Sequence, residues 1–286
     1  MKNILITGKN SYIGTSLENW LMREPDKYKV DTVDMKDGSW KEKDFSSYDV
    51  VFHVAGIAHI KETSDNQNLY YKVNRDLAYK TAQKAKQDGV EQFIFLSSMS
   101  VYGIENGVID KSTPLKPNSA YGKSKIEAEE LINKLQDDSF TVATLRPPMV
   151  YGKGCKGNYP RLSRLATKTP IFPKVDNKRS MIYIDNLSEF VKQLIDNRSS
   201  GLFFPQNEKY VKTSEMVRLI AGVHGKKIMM TRMFNPLLRL MFGIGIVNKM
   251  FGNLVYDKSM SDYDKANYRI RSFRESIELT EWGSNQ

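Results

Sequence analysis

Apolar positions along this chain fall into two repeating patterns, short unbroken runs and longer stretches with helical spacing. Lys2 to Thr7 predicts a first strand, and Leu17, Trp20 and Leu21, three to four apart, predict the helix behind it. Tyr28 to Val33 predicts a second strand, and Asp49 to Val54 a third, an apolar run as expected of a buried parallel strand. Leu69, Val73 and Leu77 predict a helix between Asn66 and Asp88, with Gly89 as its C′ residue. Phe93 to Leu96 and Thr141 to Leu145 predict strands four and five. Between them a helix runs from Tyr121 through Ile126, Leu131, Ile132 and Leu135. Met181 to Ile184 predicts another strand with a helix after it, both belonging with the first domain. Gly201 to Phe204 predicts the last strand, and Thr213 the cap of a helix containing Met216, Val217, Leu219 and Ile220. Strands alternating with helices predict an α/β fold, a doubly wound parallel sheet covered on both faces.

The first candidate chemistry lies between strand one and its helix. Gly8, Ser11, Tyr12, Ile13 and Gly14 form a loop between strand and helix, the context in which a dinucleotide-binding turn counts. Gly8 permits the tight turn, Gly14 lets the helix approach the sheet, and the helix amino terminus offers N–H groups and a positive dipole end to a pyrophosphate. Ser11 could cap the helix, although its Cβ limits how closely phosphate approaches. Asp34, twenty residues after Gly14, is spaced to bind adenosine ribose hydroxyls. Its carboxylate repels a 2′-phosphate, which favours NAD(H); Lys9 and Lys36 nearby leave room for NADP(H). The fold expected is therefore Rossmann-type.

The second candidate site joins Ser98, at the carboxyl end of strand four, to Tyr121 and Lys125. Tyr121 and Lys125 are four apart and share a helix face. An ammonium beside a phenol favours the phenolate, which lowers the pKa and fits the tyrosine for proton exchange with an alcohol.

The wording Ser-Ser-x-x-Val-Tyr-Gly from Ser97, followed by Tyr-Gly-Lys-Ser-Lys from Tyr121, resembles the extended branch of the short-chain dehydrogenase/reductase superfamily, the sugar-nucleotide epimerases, dehydratases and reductases. The resemblance covers nearly the whole chain and departs from the family's Gly-x-x-Gly-x-x-Gly at Ser11. It implies catalytic roles for Ser98, Tyr121 and Lys125. It implies cofactor contacts at Ala55, Gly56, Tyr121 and Lys125, a backbone prop at Asn74, and Pro147 and Val150 beside the nicotinamide. On the substrate side it implies Asn158, and Arg179 for the nucleotide diphosphate; an ion pair with Asp185 is the alternative for Arg179. His59 is a further substrate-side candidate, with a plain loop histidine as the alternative. The helices carrying Asn74 and Tyr121 would pair with their copies in a homodimer. Leu254 to Asp257 and Ser272 to Ile277 resemble the family's closing strand and helix.

Three functions follow from the resemblance. The first is an NAD(P)H-dependent oxidoreductase at C4 of a UDP-sugar, reducing a UDP-4-keto-6-deoxy-N-acetylhexosamine as in bacterial capsule and O-antigen synthesis. The second is a UDP-hexose or UDP-N-acetylhexosamine 4-epimerase. The third is a non-catalytic dinucleotide-sensing regulator, disfavoured because Ser98, Tyr121 and Lys125 are all present. A 4,6-dehydratase is disfavoured, since Ser98-Met99-Ser100 stands where those enzymes have Thr-Asp-Glu.

Composition narrows the setting. The 286 residues divide into a dinucleotide-binding domain over 1–152, with 180–204 returning to it, and a substrate-binding region over 153–179 and 205–286. The lone Cys155 excludes an internal disulfide framework and a multi-cysteine metal site and fits a reduced, cytoplasmic setting. The amino terminus reads as a strand and not a signal peptide, and no metal site is expected. Pro236 to Val247, interrupted by Arg239, is too short to span a membrane. The net charge of +10 is spread over scattered residues without a basic block among aromatics, so no nucleic acid partner is expected. It reads as a plain soluble basic surface, or as a fit to an anionic diphosphate substrate handled near an anionic membrane surface. The basic, Met- and Phe-rich stretch 234–251 reads as a lid over the substrate, or as a membrane-surface patch.

Overall fold

The computed structural model describes residues 1–58, 60, 62–240 and 245–282, the side chains of 237, 239, 245 and 246 excepted. His59 and residues 241–244 of the proposed lid therefore lie outside the described residues. In chain order the first half comprises β1 (Lys2–Thr7), α1 (Tyr12–Leu21), β2 (Tyr28–Val33), β3 (Val50–His53), α2 (Gln67–Tyr70), α3 (Ala78–Gln87), β4 (Gln92–Leu96), β5 (Gly107–Ile109), α4 (Ala120–Asn133) and β6 (Thr141–Leu145). Then come β7 (Met149–Tyr151), α5 (Asn158–Lys168), β8 (Ile171–Pro173), β9 (Met181–Tyr183), α6 (Ile184–Asp196) and β10 (Gly201–Phe203). The rest is α7 (Thr213–Val223), β11 (Met229–Thr231), α8 (Asn235–Leu240), α9 (Gly245–Phe251), β12 (Leu254–Tyr256) and α10 (Phe273–Trp282).

Six strands form one parallel sheet in the order β10-β6-β4-β3-β1-β2. The order reverses between β1 and β3, so the crevice at their carboxyl ends is the switch point where such sheets bind ligands. Alternate residues of each strand feed opposite layers. Ile4, Ile6, Phe52, Ile94 and Leu145 pack with Leu17 and Leu21 of α1 and with Leu187, Phe190 and Leu194 of α6. Leu5, Val51, Phe93, Phe95 and Val142 pack with Ala82 and Ala85 of α3 and Ala128 and Ile132 of α4. Because both layers are apolar, the strands read as unbroken runs. A third core gathers Tyr151, Tyr159, Leu162, Phe172, Val217 and Ile277 from the later elements.

The structure departs from the sequence reading at three places. The helix expected between Asn66 and Asp88 is interrupted by a π-helical segment, Tyr71–Leu77, that joins α2 to α3. β9 pairs with β7 in a separate two-stranded sheet, while α6 after it packs on α1. Thr213 does not cap α7. Lys212 occupies the cap position, and the Asn177 side chain accepts from the Thr213 amide at 2.9 Å. The Thr213 hydroxyl instead donates to the Met250 carbonyl at 2.6 Å.

Candidate active site

Ser98 lies two residues past β4 and caps a short 3₁₀ turn, Met99–Tyr102, its hydroxyl accepting from the Ser100 amide and donating to the Ser100 hydroxyl, both at 3.1 Å. Tyr121 sits in the first turn of α4, whose amino terminus is fixed by the Ser119 side chain, accepting from Gly122 N at 3.1 Å, and by the Glu62 carboxylate, accepting from Ala120 N at 2.9 Å. Gly122 lets this helix lie against the Ser98 loop, since a Cβ there would stand 2.6 Å from the Ser100 carbonyl. Ser98 and Tyr121, far apart in sequence, thereby come within hydrogen-bonding reach.

Burial pushes the Tyr121 hydroxyl up, the Ser98 hydrogen bond opposes that shift, and Tyr70, whose ring meets Tyr121 edge-on at 6.3 Å, adds to it. This corrects the expectation that Lys125 draws the phenol down. Lys125 lies in the same helix, but its ammonium is buried, donates to the Leu96 carbonyl at 2.8 Å and stands 4.8 Å from the centre of the Phe95 ring. Burial pushes its pKa down to about 8, against the pull of Glu129 one turn further on.

Beneath the loop lies a buried ionic cluster that sequence reasoning missed. The Arg146 guanidinium straddles the Glu129 carboxylate, with its Nε 3.0 and 3.1 Å from the two oxygens and its Nη2 2.5 Å from one of them. Ser97 donates to the same carboxylate, and Arg146 donates to the Tyr102 hydroxyl at 2.9 Å. A carboxylate eight residues after Tyr121, on the same helix face, was the signal available. His53 was also missed. It is fully buried at the end of β3, stacked on Phe93 and Phe95, with Nδ1 2.9 Å from the Thr7 hydroxyl. Burial pushes its pKa down to about 3, so the ring is neutral; Lys125 shifts it the same way.

At the switch point the glycine loop fits a dinucleotide. Gly8 has φ +92°, and a Cβ there would stand 3.0 Å from the Ala55 backbone. A Cβ on Gly56 would meet the Asn74 side-chain oxygen at 2.9 Å and lie 3.5 Å from Lys125 Nζ. The floor between β1 and β3 is thus kept free of side chains. Ser11 caps α1, accepting from Gly14 N at 3.2 Å, and Gly14 lets α1 pack on Ile6 and Val54. The amides of the first turn, including those of Tyr12 and Ile13, have no partner within the helix and are free to meet an anion such as a pyrophosphate. Asp34 follows β2 half-buried, accepting from Lys36 N at 2.9 Å. The π-helical segment aims Asn74 at the loop after β3, where it accepts from Ile57 N at 2.9 Å and donates to Ile57 O at 3.0 Å.

The remaining candidates are spread more widely. Pro147 is buried and accepts from Met99 N at 3.1 Å, and Val150 lies in β7. Asn158 opens α5. Arg179 does not pair with Asp185, which faces Arg271 at 3.7 Å. The Arg179 Nη1 donates to the carbonyls of Asn248 and Gly252 at 3.3 and 3.2 Å, and its buried Nε has no partner among the described residues. No group of three or more His, Cys, Asp or Glu among the described residues is arranged to hold a metal, and no helix among them is long and apolar enough to cross a membrane.

Residues 4–204 match the NAD dependent epimerase/dehydratase family. A UDP-glucose 4-epimerase of Vibrio cholerae is 34% identical over 250 residues, covering 77% of this chain and 75% of that protein. An N-acetyl-alpha-D-glucosaminyl-diphospho-ditrans,octacis-undecaprenol 4-epimerase of Escherichia coli O157:H7 is 26% identical over 293 residues, covering 95% and 85%. A UDP-glucuronic acid 4-epimerase from Bacillus cereus, solved with NAD, superposes with a TM-score of 0.74 at 17% identity, covering 98% of this chain and 97% of that one. A dTDP-4-dehydrorhamnose reductase from Clostridium acetobutylicum does so with 0.71 at 19% identity, covering 99% and 100%. At those identities the two structures speak for the fold alone.

Proposed function

The chain belongs to the NAD-dependent epimerase/dehydratase family, and on that premise we propose that it is a 4-epimerase of a hexose or N-acetylhexosamine carried on a nucleoside diphosphate. The observation that carries this reading is the agreement of the two relatives spanning three-quarters or more of the chain, both named as 4-epimerases. The presence of Ser98, Tyr121 and Lys125 disfavours the non-catalytic regulator.

In this reading Ser98 holds the oxygen at C4 and Tyr121 takes its proton, later returning it to the same oxygen when the sugar has turned its other face. The Lys125 ammonium, held on Leu96 O, would stabilise the phenolate from which Tyr121 starts and to which it comes back once the proton is returned. The loop Gly8–Gly14, Asp34, Ala55, Gly56, Pro147 and Val150 would hold a nicotinamide dinucleotide, NAD(H) by preference, which supplies hydride acceptance and return at C4. Arg179, with its unpartnered Nε, would take the substrate diphosphate bidentately, and Asn158 would serve on the same side. Residues 153–179 and 205–286 would form the substrate region, and α3 and α4 would pair with their copies in a homodimer.

The 4-ketoreductase is the second reading, favoured by Ser11, whose Cβ narrows the pyrophosphate turn and fits a dinucleotide exchanged each turn. One experiment separates the two. Protein purified without added dinucleotide is incubated with UDP-glucose, UDP-N-acetylglucosamine and their C4 epimers, and products and released nucleotide are read by mass. An epimerase retains NAD through many turnovers and interconverts a pair unaided. Failure of every pair, with stoichiometric NAD(P)H oxidation on a UDP-4-keto sugar, overturns the proposal in favour of the reductase.

A further inference from the structure

Twelve of the 43 basic residues lie in two segments that contain no Asp or Glu, 153–175 and 216–256. Outside them, the other 31 are outnumbered by 33 acidic residues, so the whole positive balance of the chain belongs to these segments. Along the sequence the basic residues read as scattered; in the fold the two segments meet. β8 from the first pairs with β11 from the second, Ile171 opposite Met229, and α5 packs on α7. Eleven of the twelve side chains are exposed, and that of the twelfth, Arg239, is outside the description.

The β8–β11 ribbon is amphipathic. Phe172 and Met230 turn into the core of this lobe, while Ile171 (37% exposed) and Met229 (59%) face outward as registered neighbours. The chain leaving β11 adds Met233 (75%) and Phe234 (37%), and α8 ends on Leu240 (84%). Lys168, Lys174, Lys226, Lys227 and Arg232 flank these positions in sequence. Lys226 donates to the Thr167 carbonyl and Asn235 to that of Lys174, tying the strip together. Asp176, near Arg232, is paired with Lys212 at 2.6 Å, and protruding apolar side chains flanked by the remaining cations match a surface that places anionic groups over hydrocarbon. Nucleic acid would use the cations but has no place for methionines and a leucine at the tip. A protein partner would have to supply a matching acidic ring.

We propose that this face docks on the headgroup layer of an anionic lipid bilayer, with Met229, Met233, Phe234 and Leu240 entering the acyl boundary and the flanking lysines and Arg232 meeting phosphates. The same segment contains α9 and Gly252, whose backbone carbonyls support Arg179, so the docking face and the proposed diphosphate site share one scaffold.

The test is flotation of the full chain with vesicles of phosphatidylcholine alone and of equimolar phosphatidylcholine and phosphatidylglycerol, at low and high salt. The protein is expected to float with the anionic vesicles only and to be released by salt. Lys227→Gln/Arg232→Gln is expected to weaken binding tenfold or more, each cation near such a surface contributing about fivefold. Met229→Ser/Met233→Ser is expected to weaken it at unchanged charge. Both variants should keep the melting temperature of the parent, and Lys80→Gln on α3 should leave binding intact. No flotation, equal flotation with both vesicles, or an equal loss in Lys80→Gln overturns the proposal. So does an inert methionine pair, tighter binding to a single-stranded oligonucleotide than to vesicles, or salt-insensitive self-association.

Discussion

The Lys125 ammonium donates to the Leu96 carbonyl at 2.8 Å, at the carboxyl end of the strand that delivers Ser98. A buried cation needs such an acceptor, and this one fixes the lysine beneath the Ser98 loop while Tyr121 reaches Ser98 from above. The charge on Lys125 is thus positioned by the sheet, and the proton-carrying groups by the helix and the loop.

Tyr121→Phe removes the proton carrier and keeps the ring. We expect turnover to fall by roughly 10²–10⁴-fold with the melting temperature nearly unchanged. Lys125→Met should fall comparably. Rates are to be measured at saturating dinucleotide, and a near-parental rate for Tyr121→Phe would sink the assignment.

Gly122→Ala tests the approach of helix to loop. Helix propensity favours alanine by about 1 kcal/mol. The added Cβ, however, would stand 2.6 Å from the Ser100 carbonyl and 2.9 Å from Pro117 Cβ. Overpacking of this kind costs about 1–3 kcal/mol, so the clash wins. Lower stability together with reduced turnover, by thermal melts and initial rates, is the expected result; a stabilised, fully active variant would contradict it.

The Glu129–Arg146 pair, with side chains 3% and 6% exposed, is a buried one. Removing one partner leaves an uncompensated charge, at about 3–5 kcal/mol. Glu129→Gln should lose about that much in denaturant unfolding, and Glu129→Gln/Arg146→Met should lose clearly less than the sum of the single changes. Additive losses would show that the two residues are not coupled.

What the sequence made legible follows from range. β1 and β6 occupy the predicted residues because a parallel strand buried on both faces reads as an apolar run, and β2, at the sheet edge, occupies its predicted residues although Lys29, Asp31 and Thr32 interrupt the apolar positions. Tyr121 and Lys125 stand out because four residues is one helical turn. The interactions that were not legible are distant or break the helical period. The Asn177 side chain that meets the Thr213 amide lies 36 residues away, and Glu62 at the start of α4 lies 58 away. The π-helical segment that aims Asn74 keeps a helical composition, so periodicity reads one continuous helix. The basic face is invisible along the chain because its two segments, distant in sequence, meet in the fold through β8 with β11 and α5 with α7.

Asp34 directly follows β2 and accepts from the Lys36 amide at 2.9 Å, and in the proposed reading it binds the adenosine ribose. Asp34→Ala should raise KM for NADH more than for NADPH, narrowing or reversing the preference. Equal effects on both, from steady-state kinetics with each dinucleotide, would leave Asp34 a purely structural turn residue.

The depressed pKa of Lys125 makes a prediction about stability that is separate from catalysis. In the unfolded chain a lysine titrates near 10.4, and in the fold Lys125 titrates at about 8. Between these values the unfolded state binds more protons than the folded one, so stability rises with pH through that window. Below about pH 8 both states carry the charge, and the fold bears the full cost of burying it. Raising the pH from 7.5 to 9.5 should therefore stabilise the parent by about 2 kcal/mol relative to Lys125→Met, which has no proton to lose. Urea unfolding of both proteins at the two pH values gives the difference directly, and other titrating groups cancel in the comparison. A difference that is zero, or that falls with pH, would mean that the ammonium is held at its ordinary pKa by Leu96 and Glu129.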